Sequence, residues 1–161
     1  MSSSNPNRFF DILGDVSTQL APWSLRNANK PIDQAWFQLR ELIRFRSDLA
    51  GGVIIVRPDY LSDLASIPQF AWSIFMAPDD PRIELGGWVH DVIYEKRGRL
   101  MLEDRTLITL TRKQADIILA WEAMPELSAT SAQCWLVYYA LRIFGKGWPG
   151  DSFFERFDWS H

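Results

Sequence analysis

Two hydrophobic periods divide the chain. From Trp36 to Arg46 the apolar residues Phe37, Leu39, Leu42 and Phe45 are interleaved with polar ones, and Val53-Ile54-Ile55-Val56 follows as a β-branched run of strand length. Such runs fit a pleated, half-buried surface. Ser47 to Gly52 supplies the turn between them and Pro58 ends the second run, which predicts an antiparallel pair. From Asp63 onward the apolar spacing becomes three and four, the period of a helix with one buried face. Pro68 opens a short helix over 69–76, and the Pro78-Asp79-Asp80-Pro81 loop offers an aspartate cap. The next helix is predicted over 82–96, with Gly98 as its stop.

Arg99 to Leu110 alternates around Glu103-Asp104-Arg105, the pattern of a small hairpin. Thr111-Arg112-Lys113-Gln114 has capping-box spacing and opens a helix that ends at Pro125. A last helix is predicted over 128–144, stopped by Gly145. Residues 1–35, rich in Ser, Asn and Pro with Phe9, Phe10, Ile12, Leu13 and Trp23 interspersed, read as an arm with little regular structure. Residues 149–161 read as an aromatic tail that folds back over the core. The predicted architecture is α+β: a single domain with a small antiparallel sheet followed by three main helices.

Composition narrows the function classes. A chain of 161 residues with 47% hydrophobic and 14% aromatic content can bury one sizeable core and is not disordered. Its net charge of -3 and its scattered Lys and Arg give no drive toward nucleic acid. The lone Cys134 excludes an intrachain disulfide and reads as a buried, inert thiol. No apolar stretch reaches the roughly 20 residues of a membrane span, and the first residues lack the pattern of a secretion signal. A soluble protein made in a cytoplasm is expected. Cys134 and the terminal His161 lack partners at zinc-ligand spacing, and no glycine pattern for nucleotide phosphates occurs.

The chemistry concentrates in Gly86-Gly87-Trp88-Val89-His90-Asp91-Val92-Ile93-Tyr94. On a helix, His90 shares a face with Gly86 and Tyr94, and Asp91 shares one with Gly87 and Glu95. An imidazole and a carboxylate inside an apolar helix must be hydrogen-bonded or paired. Glycines one turn earlier cost helix stability, and are explained where another backbone or a ligand comes close. Asp116 sits in the apolar pattern of the following helix. Two readings stand. In the first, His90 is a general base oriented by Asp116, Tyr94 bonds across to the neighbouring helix, and Asp91 offers oxygens to Ca²⁺. In the second, the same groups are a polar clasp between helices. Asp63 and Ser66, before Pro68, either cap the short helix or reach the His90 site as ligand or nucleophile. Ser66 lacks a Gly-x-Ser-x-Gly elbow.

Four segments in this order resemble the phage and prophage domain of unknown function numbered thirteen fifty-three. They are Val56-Arg57-Pro58-Asp59-Tyr60-Leu61-Ser62-Asp63-Leu64-Ala65-Ser66-Ile67-Pro68, His90-Asp91-Val92-Ile93-Tyr94, Arg112-Lys113-Gln114-Ala115-Asp116 and Val137-Tyr138-Tyr139-Ala140-Leu141-Arg142-Ile143-Phe144-Gly145. The family usually has threonine at Ser62 and Gly-Phe at Asp59-Tyr60. The resemblance spans residues 36–148 and implies a bacteriophage or prophage origin without an established activity. The His-Asp-x-x-Tyr and Ala-Asp segments are also similar to viral-type phospholipases A2. That similarity implies that His90 activates water, Asp116 orients it and Asp91 holds Ca²⁺. The glycine-rich calcium loop of those enzymes has no counterpart, since Gly51-Gly52 belongs to the hairpin and Gly86-Gly87 to the helix.

Two functions are consistent with these residues. One is a non-catalytic virion component or host-interaction protein, whose aromatic arm and tail dock on phage virion proteins or a host envelope component. The other is a hydrolase of an ester or amide using a His90–Asp116 dyad. Either is expected in the host cytoplasm on synthesis and, in the first case, later in the virion.

Overall fold

A computed structural model describes residues 10–12, 18–20, 37–62 and 81–144. Strands β1 (Phe10–Ile12), β2 (Thr18–Leu20), β3 (Phe37–Leu39), β4 (Ile43–Ser47), β5 (Gly52–Val56) and β6 (Leu61–Ser62) precede helix α1 (Pro81–Glu95). A hairpin of β7 (Arg99–Met101) and β8 (Leu107–Thr109) follows. Next comes a rod made of α2 (Arg112–Ile117), a π turn (Ile118–Ala123) and α3 (Met124–Glu126), and then α4 (Ser131–Phe144). The sheets are antiparallel, ordered β1-β4-β5 and β2-β3-β6, with β7-β8 apart. Among the described residues the fold is α+β, with small antiparallel sheets and three main helices.

The β4–β5 pair forms as expected, Phe45 opposite Ile54 and Ile43 opposite Val56. The predicted strand over 36–46 is in fact two strands. Unbroken alternation would carry the buried face from Leu39 through Glu41 to Ile43. The chain leaves the sheet at Arg40–Leu42 instead, so Leu39 and Ile43 are both fully buried while Glu41 stays at the rim. As a result β3 pairs with β2 and β6, and not with β4. The arm is also more regular than predicted, because β1 and β2 each complete one sheet. Three-residue strands carry too little pattern to be read as strands.

The helices begin and end where the chemistry directs. Past α1 the chain turns with Arg97 and Gly98 at positive φ (51° and 73°), and Gly98 N–H donates to the Ile93 carbonyl at 2.9 Å. Thr111 and Gln114 form the capping box. Thr130 and Gln133 repeat that spacing: Thr130 N–H donates to Gln133 Oε1 at 2.8 Å, so α4 starts three residues later than predicted. Pro125 does not end its helix. It lies in the first turn of α3, directly after the π turn.

The sheet and the helices share one core, in which Phe45, Ile54, Trp88, Ile93, Ile118, Leu119 and Leu141 are fully buried. A methyl group on Gly86 would lie 2.6 Å from Leu119 Cδ1, so glycine at 86 leaves room for the Leu119 side chain against α1. Glu122, on that turn, accepts from Ser47 Oγ at 2.6 Å and from Leu49 N–H at 2.8 Å, which ties the rod to the β4–β5 turn. Among the described residues no helix is long and apolar enough to cross a membrane.

Candidate functional site

Helices α1, α2 and α4 meet at a buried carboxylate. Asp116 faces α1 from the second turn of α2, and its side chain is 0% exposed. His90 Nε2 lies 3.0 Å from Asp116 Oδ1, and Tyr94 Oη donates to the same oxygen at 2.5 Å. His90 and Tyr94 are one helical turn apart, and their rings lie 4.2 Å centroid to centroid. The other oxygen, Oδ2, receives Arg142 Nη1 from α4 at 3.2 Å. Arg112 closes the ring: its Nε donates to Tyr94 Oη at 3.2 Å and its Nη2 to the Leu141 carbonyl at 2.7 Å.

The opposite side of the imidazole is built differently. His90 Nδ1 is buried and has no hydrogen-bond partner among the described residues. It stands 3.9 Å from Asp91 Oδ1, too far for a direct hydrogen bond. Asp91 accepts a hydrogen bond from Ser62 Oγ through its Oδ2. The indole N–H of Trp88 is also buried without a partner among the described residues, but an indole cannot take up a proton.

Burial alone pulls the His90 pKa down, yet the hydrogen bond to Asp116 and the charges of Asp116 and Asp91 outweigh it, so His90 titrates above its usual 6.5. Burial, then the Asp116 charge, pushes the Tyr94 phenol far up, so it stays a neutral donor. Burial pushes the Cys134 thiol up too, consistent with an inert group.

His90, Tyr94 and Asp116 thus come together, with Asp91 beside them. Asp63, Ser66, the 69–76 helix and the Asp79 or Asp80 cap lie outside the described residues, as does the 149–161 tail. A calcium shell needs about six to eight oxygens. The described residues hold no group of three or more His, Cys, Asp or Glu side chains placed to share an ion. Among them, Asp91 already has one oxygen engaged by Ser62 Oγ.

Sequence reasoning missed Arg142, Arg112 and Ser62. Arg142 is the only charged residue in α4, the same signal that singled out His90. Arg112 is a cation in the first turn of a helix, where the macrodipole disfavours it unless another partner holds it.

No curated protein and no solved structure was found to match the chain. A family model matches residues 37–141, under the description "Protein of unknown function (DUF1353)".

Proposed function

The chain belongs to the DUF1353 family, and from the geometry of its buried cluster we propose that it is a hydrolase in which His90 is the general base. One observation carries the reading. Nε2 is fixed by Asp116, while Nδ1 is left buried with no partner among the described residues. With a neutral imidazole a clasp leaves that nitrogen unsatisfied, at a cost of about 1–3 kcal/mol. A base requires it, because the free lone pair is the working atom.

In the neutral imidazole, Nε2–H donates to Asp116 and Nδ1 takes a proton from water. The water oxygen attacks the carbonyl carbon of a carboxylic ester, the acyl–oxygen bond breaks, and His90 returns the proton to the departing alkoxide. Asp116 stabilises the imidazolium in between. The ester class rests on the similarity of His90-Asp91-x-x-Tyr94 and Ala115-Asp116 to viral-type phospholipases A2. The resemblance to phage proteins supports a substrate in a host envelope. The test measures hydrolysis of a short-chain aryl ester and of phospholipid vesicles by the full chain and by His90→Asn. The expected result is a loss of about 10²–10⁴-fold in a variant that still melts cooperatively. Equal rates in both proteins sink the proposal.

A second reading, a non-catalytic virion component or host-interaction protein, draws on the complete enclosure of the pair. The His90 and Asp116 side chains are both 0% exposed, as a clasp requires. A wild-type chain inactive on both substrates favours it.

A further inference from the structure

We propose that Arg142 is a positioning residue that fixes the tautomer and orientation of His90 through Asp116. Its purpose rests on the hydrolase reading, but its test does not. Arg142 is 6% exposed and sits on a helix with no other charge. The two oxygens of Asp116 divide their work: Oδ2 takes the guanidinium, and Oδ1 faces both His90 Nε2 and Tyr94 Oη. Asp116 can accept from all three only as a carboxylate, since a proton on either oxygen would meet a donor. An ionised Asp116 in turn places the imidazole proton on Nε2 and leaves Nδ1 bare.

Arg142 is itself held in place. Arg112 grips the Leu141 carbonyl, one residue before it, while donating to Tyr94 on the far side. The two guanidiniums therefore brace the carboxylate and the phenol together. Without the charge on Arg142, the carboxylate loses its anchor on Oδ2 and is held through Oδ1 alone. The preference for a single imidazole tautomer goes with it.

The experiment reads the ring nitrogens directly. The chain has two histidines, so His161→Gln leaves His90 alone. Long-range ¹H–¹⁵N spectra of the ¹⁵N-histidine-labelled full chain are recorded above the pH at which His90 titrates. The parent is expected to show one tautomer, protonated at Nε2. Arg142→Gln is expected to show a mixture, and Arg142→Lys to restore the single form. An Arg142→Gln spectrum unchanged from the parent overturns the proposal, as does a parent that is already a mixture. If the Gln variant does not fold, Arg142→Met is read in its place: a mixture supports the assignment and a single unchanged tautomer overturns it. Hydrolysis does not enter the measurement, so an inactive chain defeats the hydrolase reading and leaves Arg142 assigned. In an active chain, Arg142→Gln is expected to lower kcat more than it raises KM.

Discussion

Asp116→Asn strikes the cluster at its centre. The amide keeps one acceptor oxygen but turns the other position into an NH₂ group, which then faces Arg142 Nη1 at 3.2 Å, donor against donor. The Arg142 and Asp116 side chains are 6% and 0% exposed, so solvent does not take over. Removing one member of a buried ion pair costs about 3–5 kcal/mol, because the remaining charge stays buried and uncompensated. That is a large share of the roughly 5–15 kcal/mol that holds a domain together. For 161 residues at about 2.1 cal/mol/K each, the unfolding entropy is about 0.34 kcal/mol/K, and the melting temperature falls by about 9–15 °C. Differential scanning calorimetry at pH 7 measures it. The Asp116→Asn/Arg142→Gln double variant should recover part of the loss, because the stranded guanidinium leaves with its partner. A drop under about 3 °C, or strictly additive losses, would refute the reasoning.

Further outcomes follow from the same geometry. His90 titrates above 6.5 in the folded chain, so its contribution to stability is complete below pH 6.5 and is lost as pH rises through the folded value. Melting measured across that interval should show the decline, and His90→Asn should remove it. The base form appears over the same interval, so hydrolysis should rise with pH there. Ser62→Ala removes a buried donor to Asp91 and should cost about 1–3 kcal/mol in chemical denaturation. Ser62→Thr keeps the hydroxyl and should cost less; equal losses would show that the hydroxyl is not what matters. Millimolar calcium should leave the melting temperature within about 1 °C, and a rise of several degrees would return Asp91 to the role of ligand.

The dyad was legible because a buried histidine and a buried aspartate stand out against apolar helical faces, and helix spacing alone puts His90 and Tyr94 on one side. The Thr111 capping box was legible for a similar reason, since both of its members lie within one turn. Arg142 was not connected to Asp116, because the two stand 26 positions apart on separate helices and no local spacing encodes that contact. The break at Arg40–Leu42 was hidden by apolar residues on both sides; only the cost of turning Glu41 inward reveals it. The π turn was invisible as well, because its longer-range backbone bonds leave the apolar pattern of Ile118 and Leu119 looking like ordinary helix.

Asp116 stands 26 residues after His90 and 26 before Arg142. A ribosome therefore releases the imidazole and the carboxylate well before the guanidinium that balances them. Until α4 has been made and has docked, burying Asp116 means burying a charge without its counterion, which the interior of a protein resists. A chain cut short of residue 142 carries both members of the dyad and lacks the ion that seats them. A fragment that ends before residue 142 should therefore lack an ordered His90–Asp116 pair.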